Sequence, residues 1–205
     1  MKYVSKLQHV YTQPFIGNYY FAEKPRILIV GHNHYCANPE MEFVPEITLD
    51  VLSRYLKARH DGSPIESDVH LFLSFEKAMI RGGDNVSPDE SLSFWNSVAF
   101  YNYVQYPNTT EDKIKVMMSQ QYKDSYDGFF EILRFLKPDY VVAWGKTWYE
   151  KMPPLSFTNL DFEGQNACIY HLEGGHEVKV LSIQHPAVAF SPSVWGPIIE
   201  RFLAL

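Results

Sequence analysis

The feature that most constrains this fold is a set of short, largely apolar runs, each of which ends abruptly at a polar turn. Segments 26–30 and 139–144 are each followed by a glycine, and segment 178–183 is followed by Gln184. An apolar strand without regular alternation is typical of a parallel sheet that is covered on both faces. The pattern therefore predicts a buried, mainly parallel sheet.

Segments with helical spacing lie between these runs. Apolar residues recur every three or four positions in 46–59, 69–81, 122–136 and 194–205, which predicts four helices. Segment 99–105 predicts a fourth strand, and 167–171 predicts a hairpin with 178–183. Strands that alternate with helices in this way predict an α/β fold, a three-layer α/β/α sandwich.

Length and composition predict one domain over residues 1–205. The 46% hydrophobic content is sufficient for a core, and the net charge of −6 argues against a protein that coats nucleic acid through bulk positive charge. This net charge is still compatible with an enzyme that binds DNA through a local basic groove. Two cysteines exclude a four-thiolate cluster. Without a membrane-length apolar run or a signal peptide, we expect a soluble, cytoplasmic protein with no membrane partner.

Polar side chains collect where three of the predicted strands end. Gly31-His-Asn-His34 follows the first strand, Asn102 lies in the second, and His185 follows the last. In parallel sheets, ligands bind at the carboxyl ends of the strands. An asparagine presents a donor and an acceptor together, and a neutral imidazole can donate to a developing oxyanion. This combination suits recognition of a flat heterocycle and cleavage of a bond with an anionic leaving group.

Four segments, in this order, resemble the motifs of the uracil-DNA glycosylase superfamily: 31–35, 99–104, 137–146 and 185–187. Together they span the chain from residue 27 to about residue 192. The resemblance implies a three-layer fold with a mainly parallel four-stranded central sheet. It also implies a DNA-repair N-glycosylase that hydrolyses the N-glycosidic bond of uracil or a related damaged base. Such an enzyme acts on DNA and needs neither a metal nor an organic cofactor.

The resemblance also assigns catalytic and base-binding roles, residue by residue. Asn33 matches the position that holds the attacking water, and His185 matches the histidine that stabilises the departing base. Asn102 matches the residue that hydrogen-bonds the uracil edge, and Tyr35 matches the one that excludes thymine. The base-binding loop is completed by Gly31, His32 and His34; Phe43 is the nearest match for the stacking aromatic, with Phe72 and Phe75 as alternatives.

Contacts to DNA fall in two other segments. The loop through Phe190 matches the segment that wedges into the duplex while the nucleotide is extruded, and Pro186 and Ser191 belong to it. Lys146, at a predicted helix start, is a candidate contact to the phosphate backbone.

The chain departs from the family pattern in ways that leave alternatives open. Residues 31–36 contain neither aspartate nor glutamate, and an asparagine cannot act as a full general base. A non-catalytic nucleotide- or nucleic-acid-binding protein with the same fold is therefore the main alternative. A metal-dependent hydrolase using His32, His34 and Cys36 is a third hypothesis. Asn102 could also be a satisfied buried polar group, and His185-Pro186 a strand-ending turn.

Overall fold

A computed structural model of the protein describes residues 7–34, 44–81, 85–105 and 111–205; for residues 81, 111–119, 147 and 148 it describes the backbone alone. The strands are β1 (Phe15–Ile16), β2 (Ile27–Gly31), β3 (Ala99–Asn102), β4 (Tyr140–Trp144), β5 (Phe157–Asn159), β6 (Ala167–His171) and β7 (Glu177–Ile183). The α-helices are α1 (Ile47–Asp61), α2 (His70–Arg81), α3 (Pro88–Ser97), α4 (Glu111–Leu136), α5 (Lys146–Tyr149) and α6 (Pro192–Leu203).

The predicted α/β class is confirmed, but the predicted strand number is wrong. The strands form one seven-stranded mixed sheet in the order β1-β3-β2-β4-β7-β6-β5. Of the five strands expected from the sequence, β3, β2, β4 and β7 are adjacent and parallel to one another, and β6 pairs with β7 as the predicted hairpin. Three antiparallel strands extend this centre at its two sides. Two of them, β1 and β5, are only two and three residues long, too short to produce a periodic sequence signal.

Apolar residues cover both faces of the sheet, which explains why its central strands are largely unbroken apolar runs. On one face Leu28 and Val30 of β2 join a core cluster with residues of α4. On the other face Ile29 joins a second cluster with residues of α1, α2, α3 and α6. Leu28 and Ile29 are fully buried, which contributes about 1.5–3 kcal/mol for each side chain relative to exposure.

Two local differences from the predicted elements bear on the site. Helix α3, which is not among the four predicted helices, begins at Pro88 after a capping box between Ser87 and Glu90. Strand β3 ends at Asn102 rather than at residue 105. Beyond it, the amides of Tyr103 and Val104 donate to the carbonyls of Gly31 and His32. These bonds hold the segments after β2 and β3 together.

No helix in the described ranges is both long enough and apolar enough to cross a membrane.

Candidate functional site

The ends of the parallel strands surround one cavity of about 560 Å³. The segment after β2 contributes Gly31 to His34, β3 contributes Asn102, and His185 follows β7. Helix α1 and the segment leading to α2 form the opposite wall. The three polar segments that the sequence placed at strand ends therefore line the same cavity. The roles assigned to their side chains stay predictions.

Asn102 lies directly against the backbone of Gly31, its register partner in the neighbouring strand. A Cβ atom added to Gly31 would lie 2.3 Å from Asn102 Oδ1, far inside contact distance. Only a glycine leaves room for the amide at this position. The Asn102 side chain is also 6% exposed, so its polar atoms depend on protein or ligand partners.

His34 supplies one of those partners. Asn102 Nδ2 donates to His34 Nε2 over 2.9 Å, and Thr48 Oγ1 of α1 lies 2.9 Å from the same nitrogen. Since an amide nitrogen can only donate, Nε2 is the acceptor and carries no proton. Burial lowers the pKa of His34 to about 4, which keeps the ring neutral at pH 7.

His185 is held in the opposite tautomer. The backbone amide of Ala187 donates to His185 Nδ1 over 3.2 Å, so the proton of the neutral ring lies on Nε2. Burial lowers the pKa of His185, which favours this neutral form. The ring also meets Trp144 edge to face, with centroids 6.1 Å apart. A neutral, oriented imidazole of this kind can donate one hydrogen bond to a ligand.

His32 faces the helix on the other side of the sheet. Its Nε2 is hydrogen-bonded to the Tyr122 hydroxyl of α4, and the two rings stack with centroids 5.7 Å apart. The pKa of His32 is lowered to about 4, mainly by burial and to a smaller extent by the charge of His185. The three histidines that line the cavity thus have lowered pKa values, which favour the neutral form of each ring.

Asn33 also lines the cavity and is half-buried. Its Nδ2 donates to the His34 carbonyl over 3.3 Å, which anchors the nitrogen end of the amide. The amide oxygen is an uncharged acceptor, so it can orient a water but cannot take its proton completely.

The mouth of the cavity carries more negative than positive charge. Among the described lining residues, the charged side chains are Asp50, Arg54 and Asp68. Arg54 forms ion pairs with Glu66 and with Asp68, the latter at 2.7 Å. The rim is therefore not a basic groove on the α1 side.

The predicted DNA contacts lie outside the cavity wall, around α6. Lys146 Nζ lies 5.0 Å from the centre of the Trp195 ring, and Phe190 stacks nearly parallel on that ring at 6.4 Å. Pro186 is buried, and Ser191 Oγ lies 3.1 Å from the hydroxyl of Ser193. The large apolar side chain that the loop exposes is a different one, Val188, at 58%.

The structure describes two of the three candidates for the predicted stacking aromatic, Phe72 and Phe75. Tyr35 and Phe43 lie outside the described residues. Of the two alternatives, Phe72 lines the cavity, whereas Phe75 is fully buried in the core beside Trp144.

The geometry around His32 and His34 does not favour the metal hypothesis. The two rings bond to different elements, α4 and α1, and Cys36 lies outside the described residues. In the part of the chain that the structure describes, no three His, Cys, Asp or Glu side chains are grouped to hold a metal ion.

Sequence reasoning missed two residues that line the cavity, Thr48 and Trp144, and one that is hydrogen-bonded to a cavity histidine, Tyr122. Thr48 and Tyr122 come from helices, where a polar or aromatic residue within an apolar pattern gives no sign of a distant partner. Trp144 ends β4 directly before Gly145, and this strand-end position is a signal that could have identified it.

Comparisons of the sequence with protein-family models and with curated proteins find no match.

Proposed function

We propose that this chain is a DNA-repair N-glycosylase related to the uracil-DNA glycosylase superfamily, which hydrolyses the bond between uracil, or a related damaged base, and deoxyribose. The observation that carries the proposal is the convergence of Asn102 and His185 on one cavity at the carboxyl ends of parallel strands. Its volume, about 560 Å³, falls within the range of about 300–1,000 Å³ typical of small-molecule sites.

Base recognition is assigned to Asn102 and the aromatic part of the cavity wall. The amide offers a donor and an acceptor to the edge of a pyrimidine, and its burial makes those bonds selective. Phe72, Phe100 and Trp144 line the same cavity and provide apolar surface for the faces of a flat ring. A base bound there has left the duplex stack, because a paired base cannot enter such a cavity.

Bond cleavage is assigned to His185. The C1′–N1 bond breaks with its electron pair going to the base, so negative charge develops on the base oxygens. The Nε2–H of neutral His185 donates to that charge and lowers the barrier. A donor of this kind is typically worth about 10²–10³ in rate.

Water addition is assigned to Asn33. Its amide oxygen orients a water towards C1′, the water oxygen forms the new bond to that carbon, and the released proton passes to solvent or to the base anion. Because an amide is a weak base, positioning rather than deprotonation is its contribution.

DNA contacts are assigned to the surface beside α6. Lys146 supplies a cation there, and Phe190, Ser191 and Pro186 belong to the loop that follows His185. The exposure of Val188 makes it the apolar side chain best placed to enter the duplex.

The test is incubation with single- and double-stranded oligonucleotides that contain one uracil, followed by alkali to cleave abasic sites. We expect cleavage by the wild type, and a loss of about 10²–10³ in rate in His185→Ala and a comparable loss in Asn102→Ala. His171→Ala, which removes an exposed imidazole from the end of β6, is the matched control. Absence of cleavage by the wild type, or equal rates in all four proteins, would refute the assignment.

One observation favours a second candidate, a non-catalytic protein that binds a free nucleobase or nucleotide. The described rim residues include two carboxylates, Asp50 and Asp68, while the guanidinium of Arg54 is already paired. A DNA backbone would meet repulsion there. Thermal stabilisation by uracil or a nucleotide, without release of base from DNA, would support this candidate.

A further inference from the structure

We propose that His34 is a positioning residue that holds the Asn102 amide in one orientation and thereby selects a keto pyrimidine over an amino pyrimidine. This inference rests on the proposed base-binding function of the cavity.

The amide of Asn102 is constrained at both ends. Its oxygen packs over Gly31, and its nitrogen donates to His34 Nε2 over 2.9 Å. His34 is 7% exposed, and its Nε2 also lies 2.9 Å from Thr48 Oγ1. The His34 ring is therefore held by α1, and solvent has little access to compete for the bond.

The alternative orientation of the amide is disfavoured. A 180° rotation would exchange the nitrogen and the oxygen, and the oxygen would then face the lone pair of His34 Nε2. Two acceptors in contact within a buried site repel, and both lose a hydrogen bond. The burial that lowers the pKa of His34 also opposes formation of the charged imidazolium, whose Nε2–H would otherwise donate to the rotated oxygen.

The orientation decides which base edge fits. Uracil presents an N3–H donor beside its O4 acceptor, whereas cytosine presents an N3 acceptor beside an amino donor. The Asn102 nitrogen has two hydrogens, so one can bond His34 and the other the O4 of uracil. The amide oxygen is left for N3–H. Cytosine would require the rotated amide, and His34 resists that rotation.

The first experiment observes the restraint directly, by NMR of the full chain. The Asn102 side-chain amide is assigned by its disappearance in Asn102→Asp. In the wild type we expect one of its two protons to be shifted downfield and slow to exchange, and His34 Nε2 to be unprotonated. We expect this signature to be lost in His34→Phe, which keeps a ring but no acceptor, and retained in His34→Gln, whose carbonyl can accept. A protonated Nε2 in the wild type would overturn the proposal, whether or not the variants fold.

The second experiment measures selectivity, using the dissociation constants of free uracil and free cytosine determined by titration calorimetry. We expect the preference for uracil to fall at least about tenfold in His34→Phe, which corresponds to the loss of about one hydrogen bond. The His34→Gln variant should keep most of the preference. An unchanged preference in His34→Phe would overturn the proposal.

The outcomes separate this proposal from the function on which it rests. If the wild type binds uracil selectively and His34→Phe does so equally well, only the positioning role fails. If the wild type binds neither base and releases none from DNA, the proposed function fails, and the selectivity role fails with it.

Discussion

Acidification should destabilise the protein because His32 and His34 are buried in their neutral form. Their pKa values are lowered by burial from 6.5 to about 4 in the folded state. The unfolded chain therefore takes up protons first as the pH falls. The stability associated with each group is fully present above pH 6.5 and is lost as the pH falls towards 4.

The magnitude follows from the size of these shifts. A shift of about 2.5 units corresponds to about 3 kcal/mol for each histidine when the loss is complete. Between pH 7.5 and pH 5.0 the same relation gives about 2 kcal/mol for each group. This is a substantial part of the 5–15 kcal/mol that is typical of a folded domain.

The assay is urea unfolding of the wild type and of His34→Phe at both pH values. The free energy of unfolding should fall by about 2 kcal/mol less in His34→Phe than in the wild type. Phe72→Leu is the control, because it disturbs the same cavity without removing a titratable group. It should be less stable at both pH values and show the wild-type difference between them. An equal difference in His34→Phe and the wild type would refute the reasoning.

Three further changes test other parts of the account. Gly31→Ala should displace the Asn102 amide and abolish uracil binding in calorimetry. The control is Gly128→Ala on α4, where the added Cβ would lie 2.5 Å from the backbone oxygen of His9; it should cost about 1–3 kcal/mol of stability in urea unfolding but leave binding intact. Retained binding in Gly31→Ala would contradict the role of that amide. Val188→Ser should slow uracil release from duplex DNA more than from single strands, and an equal effect on both would exclude Val188 as the wedge. Asp50→Lys should tighten DNA binding in a fluorescence titration and steepen its salt dependence by up to about one unit of slope; an unchanged slope would place the DNA away from this rim.

Much of the fold could be predicted because its central strands are buried on both faces. Burial of this kind leaves a recognisable apolar run in β2 and β4, and β6 with β7 was recognised as a hairpin. The short strands β1 and β5 carry no such signal. Helix α3 does carry a local signal, since Ser87 and Glu90 have the spacing of a capping box, but this helix is not among those predicted.

The site could be predicted only where it depends on chain topology. Parallel strands bring their carboxyl ends to one edge of the sheet, so the sequence alone predicts that Gly31, Asn102 and His185 lie close together. The partners that orient these groups could not. Thr48 and Tyr122 reach His34 and His32 from helices on opposite faces of the sheet, and the packing of those helices follows from the whole core rather than from local sequence.

The central claim is that Asn102 and His185 bind one planar base in a common cavity, and a crystal structure of the protein with free uracil tests it most directly. The account predicts the base inside the cavity, with O4 and N3 within hydrogen-bond distance of the Asn102 amide and a second oxygen within that distance of His185 Nε2. Uracil bound elsewhere, or in the cavity without contact to either side chain, would contradict it.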